Sequence, residues 1–171
     1  MHVFLTGDRG AGKSRAAAAA AALIRRPCRG FRTAFRTEDR HASMLYLLPA
    51  EEETFAGEAY PVAAWRDGKL TPLEGAFDTW GVKLLREARQ HPEALILMDE
   101  CGHVEKDAAA FQQEIIACLD GNIPVLGVLR RDQPWHEMIR RHPGVCVLEV
   151  TVQNRERLPQ QIAELIRRDL P

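Results

Sequence analysis

The stretch Gly7-Asp8-Arg9-Gly10-Ala11-Gly12-Lys13-Ser14 decides the fold of this 171-residue chain. It matches the pattern G-x-x-x-x-G-K-[ST] at every fixed position. A short β-like run, His2–Thr6, precedes it, and the alanine-rich stretch Ser14–Arg26 that follows suits a helix. The sequence therefore predicts a strand, a glycine-rich turn and a helix in direct succession.

This glycine-rich turn has the chemistry of a phosphate-binding loop. Its glycines let the main chain wrap around a phosphate chain, and the following helix start favours anions. We expect Lys13 to reach the β- and γ-phosphates of a nucleotide and the Ser14 hydroxyl to bind Mg²⁺. The predicted nucleotide-binding residues are the eight quoted above together with Arg15. The alternative is a glycine turn that joins strand to helix by chance.

Strand-like and helix-like segments alternate along the rest of the chain. Three apolar runs are typical of buried strands, and they are Ala94–Met98, Ile123–Leu129 and Val145–Val150. Helical patterns stand between and after them, over Phe77–Gln90, Ala108–Leu119, Trp135–Arg141 and Leu158–Arg168. This alternation predicts a single α/β domain over residues 1–171, with a mostly parallel central sheet and helices on both faces.

The middle of the chain has a different pattern. Three further strands are predicted there, at Phe31–Phe35, Met44–Leu48 and Tyr60–Trp65. The dipeptide Asp67-Gly68 is a hairpin turn signal directly after the last of them. We therefore expect antiparallel strands at one edge of the sheet.

Two acidic residues, Asp99 and Glu100, end the first of the three apolar runs. An aspartate at the tip of a core strand beside the phosphate loop can hold a hydrated Mg²⁺ ion. The neighbouring glutamate can orient and deprotonate the water that attacks the γ-phosphorus. We predict Asp99 as a metal-shell residue and Glu100 as the catalytic base. Glu105 is either a second carboxylate behind this pair or a surface helix residue.

Polar residues also follow the other two apolar runs. Arg130 and Arg131 come directly after one strand, and Asn154 and Arg155 follow the other. Because ligands of open α/β sheets sit outside the carboxyl ends of the strands, these groups are expected to converge on one site. Arg130 and Arg131 either stabilise transition-state charge or form a solvated turn. Asn154 and Arg155 either contact the nucleobase or belong to the start of the last helix.

Composition and charge exclude several classes of protein. The net charge of −1 attracts neither nucleic acid nor an anionic membrane globally, although arginine pairs leave room for a local basic patch. No apolar run approaches the ~18 residues of a membrane span, and the first residues lack a signal-peptide layout. The four cysteines form no CxxC pair, which argues against a zinc site. We expect a cytoplasmic protein with no nucleic-acid or membrane partner.

The motifs together resemble the nucleoside-triphosphatase family that includes thermostable archaeal and bacterial enzymes and a human cancer-related enzyme. The resemblance lies in four stretches, namely Gly7–Ser14, Leu95–Glu105, Ile123–Arg131 and Val150–Arg155. It implies a RecA-like P-loop core and Mg²⁺-dependent hydrolysis of several nucleoside triphosphates to diphosphates. It also implies phosphate, metal and catalytic roles for Lys13, Ser14, Asp99 and Glu100. Cys101 and Val104 replace an isoleucine and a methionine that are usual in the family.

Two other functions share the phosphate loop. A P-loop kinase for a small molecule or nucleotide has a similar size, and Arg130–Arg141 would then resemble an arginine-rich lid. A slow nucleotide-gated switch for a protein partner is the second alternative. Glu100 favours hydrolysis, because a water-activating carboxylate lies next to the metal-binding aspartate. The stretch 154–157 lacks the aspartate of the N-K-x-D guanine-binding motif, so strict guanine specificity is not supported.

Overall fold

A computed structural model describes residues 1–36, 43–52 and 54–170 of the chain. Eight strands form one sheet in the order β5-β4-β3-β2-β6-β7-β1-β8. The strands are β1 (His2–Thr6), β2 (Cys28–Arg36), β3 (Met44–Pro49), β4 (Tyr60–Arg66), β5 (Lys69–Pro72), β6 (Leu95–Cys101), β7 (Val125–Leu129) and β8 (Val145–Glu149).

Five of these strands, from β2 to β8 in spatial order, are parallel. The other three, β3, β4 and β5, continue the sheet as antiparallel strands at one edge. The hairpin predicted at Asp67-Gly68 joins β4 to β5, and its pairing brings Arg66 opposite Lys69. The predicted antiparallel edge is confirmed, except that β2 pairs in parallel with β6 on its other side.

Helices cover both faces of the sheet, as the alternating pattern predicts. On one face lie α1 (Lys13–Ile24) and α5 (Leu158–Arg168). The opposite face carries α2 (Val82–Ala88) with a preceding π-helical turn (Phe77–Gly81), α3 (Ala109–Leu119) and α4 (Glu137–Arg140), which follows a 3-10 turn (Pro134–His136). Within the described ranges, no helix combines the length and the apolar character that crossing a membrane requires.

Strand β6 shows how the core is divided between these two layers. Ile96 and Met98 point into the layer of α2 and α3, whereas Leu95 and Leu97 pack against the layer of α1 and α5. All four side chains are fully buried. A strand that is covered on both faces needs such a continuous apolar run, which explains the signal in the sequence.

The prediction of a third buried strand at Val145–Val150 is wrong. Within the described residues, strand β8 pairs only with β1 and lies at the edge of the sheet, and its residues are half-buried or exposed. An apolar run indicates that a strand pairs and packs, but it does not specify the number of neighbouring strands. The first helix also ends earlier than expected, at Ile24, because Arg25 adopts a left-handed conformation there.

Candidate active site

The glycine-rich loop connects the end of β1 to the start of α1, as its sequence predicts. Gly7 has a φ of 147°, and a Cβ atom at this position would lie 2.5 Å from the carbonyl oxygen of Val150. Gly12, directly before the helix, has a φ of 99°. Only glycine adopts these conformations without strain and permits so close an approach of main chain to main chain. The two glycines therefore fix the path of the loop.

Lys13 folds back over this loop. Its Nζ atom donates hydrogen bonds to the carbonyl oxygens of Gly7 at 3.0 Å and Asp8 at 2.9 Å. The ammonium group thus lies where the first four N–H groups of α1 leave an uncompensated positive helix end. Two positive features coincide at this point, which suits an anion with several negative charges.

The remaining loop residues surround the same opening. Ala11 is buried beneath the loop and its N–H donates to the Asp8 carbonyl at 3.1 Å. A cavity of about 1000 Å³ opens in front, and its lining includes Gly7, Arg9, Gly10, Gly12, Lys13, Ser14 and Arg15. Seven of the residues predicted to bind a nucleotide therefore lie around one concave site. The exceptions are the buried Ala11, Asp8, whose carboxylate faces Arg131, and the pair Asn154 and Arg155.

Strand β6 brings Asp99 to this loop. The Ser14 hydroxyl donates a hydrogen bond of 2.7 Å to Oδ1 of Asp99. Asp99 is only 8% exposed, and this burial raises its pKa, while the hydrogen bond from Ser14 and the charges of Arg32 and Lys13 act in the opposite direction. Two oxygen groups predicted to bind metal are thus in contact at the end of the loop.

Glu100 lies beside Asp99 and faces the cavity. Its main-chain N–H donates to the hydroxyl of Thr33 on β2 at 3.2 Å. Burial raises the pKa of the Glu100 carboxyl, and the neighbouring Asp99 raises it further, whereas Lys13 lowers it. A carboxylate with a raised pKa accepts a proton more readily, which is the property that a general base needs.

Arg130 and Arg131 point to different partners. The Arg130 guanidinium donates to Nδ1 of His103 at 3.1 Å and lines the cavity with Glu100. Arg131 forms ion pairs with Asp8 of the loop, at 3.3 Å, and with Glu149 at the end of β8. Both arginines line the cavity in front of the loop, and the ion pairs of Arg131 also hold the loop against β8.

The side chain of Asn154 is engaged with the main chain. Its Oδ1 accepts from the N–H of Thr151 and its Nδ2 donates to the carbonyl of Glu149, both at 2.8 Å. Asn154 thus closes the turn between β8 and α5, which begins at Leu158. Arg155 lies beside the loop: a Cβ atom built at Gly12 would be 3.7 Å from the Cδ atom of Arg155. Among the described residues, neither lines the cavity in front of the loop.

Glu105 is buried, so its interpretation as a surface helix residue is wrong. It is 1% exposed and lies in the loop between β6 and α3. Its Oε1 accepts from the N–H of Gly102, and burial raises its pKa to about 7. The carboxyl lines a second, smaller cavity that also borders Asp99 and Glu100. Glu105 is therefore a buried acid behind the acidic pair.

Sequence reasoning missed several residues that surround the site. The β4–β5 hairpin brings Trp65, Gly68, Lys69 and Leu70 to the cavity of the phosphate loop. Thr33 and His103 contact Glu100 and Arg130, as described above. The Asp67-Gly68 turn signalled the hairpin, but its approach to the loop depends on the order of the strands, for which the sequence has no local signal.

The fold and the loop define a P-loop protein with a RecA-like α/β core. The chain belongs to the NTPase family, whose model matches residues 2–163, and it is thereby a nucleoside-triphosphatase. This membership confirms the family predicted from the motifs.

Individual proteins that the chain resembles also carry the name THEP1 or nucleoside triphosphatase. The chain is 26% identical over 170 residues to nucleoside-triphosphatase THEP1 of Thermotoga petrophila, covering 98% of this chain and 93% of the relative. Its fold is similar to the crystal structure of THEP1 from Aquifex aeolicus, with a TM-score of 0.76, 20% identity and coverage of 97% and 99%. The solution structure of a human cancer-related nucleoside triphosphatase has the same TM-score, 23% identity and 99% coverage of both chains.

Proposed function

We propose that residues 1–171 act as one domain that hydrolyses ATP, GTP and other nucleoside triphosphates to diphosphate and phosphate with Mg²⁺. The contact between Ser14 and Asp99 carries this proposal, because it joins the phosphate loop to the acidic pair. It supports a site in which the anion-binding loop, two oxygen groups for a metal ion and a general base act together. The stretch 154–157 lacks the aspartate of the guanine-reading motif, so strict guanine specificity is not part of the proposal.

The residues present fit a magnesium ion. Mg²⁺ prefers oxygen ligands and keeps several waters, so it needs one or two protein oxygens together with phosphate oxygens. Ser14 and Asp99 would supply such oxygens. The described part of the chain contains no group of three His, Cys, Asp or Glu residues that could hold a metal ion. When bound, Mg²⁺ neutralises charge on the β- and γ-phosphate oxygens.

Side chains and main-chain amides of the protein bind the phosphates, accept the proton and stabilise the developing charge. Lys13 and the loop amides hold the β- and γ-phosphates. Glu100 takes a proton from the attacking water, and its raised pKa makes it a competent base. Arg130 stabilises the charge that spreads over the γ-phosphoryl group, since its guanidinium faces the same cavity as Glu100. Arg131 contributes by fixing Asp8 and with it the loop. Arg155 lies beside the loop at Gly12 and is the residue of this pair that we propose to contact the nucleoside. The side chain of Asn154 is engaged with the main chain, so its role is to shape the turn that carries Arg155.

Phosphate release tests the proposal directly. Purified protein is incubated with ATP, GTP, CTP or UTP in Mg²⁺ and without any acceptor, and inorganic phosphate is measured. We expect release from all four, and loss of release when EDTA removes the metal. Release that persists in EDTA would contradict the metal assignment. No release from any triphosphate would contradict hydrolysis itself.

A further inference from the structure

The smaller cavity beside the acidic pair is larger than hydrolysis requires. Its volume is about 430 Å³, which lies within the ~300–1,000 Å³ of small-molecule sites. A water molecule occupies about 30 Å³ of liquid, so the cavity is more than ten times the volume of the attacking water. Mg²⁺ with its waters would take the part of the cavity next to Ser14 and Asp99, and the part next to Phe35 and Leu45 lies beyond the loop and the strand end that carry these two residues.

This cavity opens directly onto the site of the γ-phosphate proposed above. It shares Ser14, Phe35, Leu70, Glu100, His103 and Arg130 with the larger cavity in front of the phosphate loop. A molecule in the smaller cavity would therefore lie next to Glu100. It would occupy the region in which the attacking water must otherwise lie.

One wall of the cavity is apolar and built on two strands. Thr33 and Phe35 are two residues apart on β2, so they lie on the same face of the sheet. Leu45 of β3 is the register partner of Phe35 and extends this face. Phe35 is 42% exposed and lines the cavity, so its ring is accessible to a molecule there. An apolar wall of this kind favours a ligand with a ring or hydrocarbon body.

The opposite side of the cavity is polar. The loop after β6 supplies His103 and the buried carboxyl of Glu105, and Arg130 directly follows β7. Arg130 is held by His103 at 3.1 Å. Polar groups that converge on one side and an apolar wall on the other match an amphipathic small molecule.

We infer that this cavity is a second-substrate site for a small molecule with an apolar ring and a hydroxyl group, which accepts the γ-phosphoryl group in place of water. The hydroxyl oxygen forms a bond to the γ-phosphorus while the bond from the γ-phosphorus to the β–γ bridging oxygen breaks. Glu100 takes the hydroxyl proton, and the nucleoside diphosphate leaves. The inference rests on the proposed roles of the loop and Glu100, and it adds phosphoryl transfer to hydrolysis.

Benzyl alcohol is a suitable probe because it combines an aromatic ring with one primary hydroxyl. The protein is incubated with MgATP and benzyl alcohol, and phosphorus NMR separates benzyl phosphate from inorganic phosphate. We expect benzyl phosphate to form and its share to rise with the alcohol concentration. Glycerol at equal concentration should give far less ester, because it has hydroxyl groups and no apolar ring.

Two variants locate the acceptor. Phe35→Ala should lower the ratio of ester to inorganic phosphate about tenfold, since a lost apolar contact in a pocket costs roughly this factor. Leu23→Ala removes a comparably exposed side chain from α1, outside both cavities, and should leave the ratio unchanged. An unchanged ratio in Phe35→Ala would overturn the assignment of the cavity.

The two products separate this inference from the proposed function. Inorganic phosphate without any benzyl phosphate would overturn the second-substrate site and leave hydrolysis intact. Benzyl phosphate without hydrolysis in the absence of alcohol would support the site and overturn the hydrolase proposal. If neither inorganic phosphate nor benzyl phosphate forms, both the hydrolase proposal and the second-substrate site are overturned. Equal ester from glycerol and benzyl alcohol would overturn the apolar ligand class.

Discussion

The Ser14 hydroxyl and the Asp99 carboxylate are 2.7 Å apart although 85 positions separate them in the chain. The contact exists because β1 and β6 run in parallel, with β7 between them, and end at the same edge of the sheet. Ser14 lies in the first turn of α1 and Asp99 lies in β6, two residues before its end, so both side chains are fixed by regular structure. This pair is therefore the most direct target for a test of metal binding.

Replacing Ser14 by alanine should weaken metal-dependent turnover. The variant loses one oxygen group of the metal site, and we expect the Mg²⁺ concentration for half-maximal phosphate release to rise at least about tenfold. Ser14→Thr keeps a hydroxyl at the same position and serves as the matched control. Titration of phosphate release with Mg²⁺ compares the three proteins. The same Mg²⁺ dependence in Ser14→Ala and the wild type would remove Ser14 from the metal site.

Replacing Lys13 by alanine should weaken nucleotide binding itself. The ammonium group lies on the loop within 3.0 Å of two carbonyl oxygens, at the predicted position of the phosphates. Loss of a charged hydrogen-bonding group costs about 1.5–3 kcal/mol, so affinity should fall roughly 10- to 100-fold. Calorimetric titration with a non-hydrolysable triphosphate measures the change. Lys83→Ala, a change of the same type on α2, should bind as the wild type does.

Replacing Glu100 by glutamine should separate binding from catalysis. Glutamine keeps the shape and the main-chain N–H that contacts Thr33 at 3.2 Å, but it cannot take up a proton. Phosphate release should fall about 10²- to 10⁴-fold while triphosphate affinity stays within a few-fold of the wild type. Single-turnover phosphate release together with calorimetry resolves the two effects. Glu156→Gln, at an exposed position, is the control, and wild-type turnover in Glu100→Gln would exclude this residue as the base.

The sequence predicted the parts of the site that lie within one continuous segment. The phosphate loop and the pair Asp99-Glu100 each combine a strand end with the residues that follow, so local pattern suffices to find them. The sequence did not decide whether Glu105 is buried or lies on the surface, because its burial depends on how the loop that carries it folds back to Gly102. Trp65 was missed, because the β4–β5 hairpin reaches the phosphate loop only through long-range strand order.

The difference between local sequence pattern and long-range strand order also explains where the predicted fold was wrong. The apolar run of β8 resembles those of β6 and β7, yet β8 pairs on one side only. Strand position is a property of the whole sheet, whereas hydropathy is a property of a few residues. By contrast, the alanine-rich stretch after the phosphate loop forms the expected helix, α1, and its small side chains Ala16, Ala17, Ala20 and Ala21 are all buried in one layer.

Enlarging a buried alanine of α1 should therefore destabilise the fold. Ala20 is fully buried against the sheet, and leucine at this position would need space that the packing does not provide. We expect Ala20→Leu to lower the free energy of unfolding by about 1–3 kcal/mol. Ala19→Leu makes the same change at an exposed neighbouring position and should stay within ~0.5 kcal/mol of the wild type. Urea unfolding measures both, and equal stability of the two variants would contradict the close helix–sheet contact.

Replacing Glu105 by glutamine should change how stability depends on pH. Burial raises the pKa of this carboxyl from 4.5 to about 7, so the folded state binds the proton more tightly than the unfolded state. Between these two values the unfolded chain releases the proton first, and the wild type loses stability as pH rises. The total loss is at most about 3 kcal/mol, is absent below pH ~4.5 and is complete above pH ~7.

Glutamine at position 105 keeps an oxygen that can accept the hydrogen bond from the N–H of Gly102, and it does not ionise. Urea unfolding at pH 5 and pH 7.5 should show that Glu105→Gln gains stability relative to the wild type at the higher pH. A difference between the two proteins that stays constant across this range would show that Glu105 ionises equally in the folded and unfolded chain.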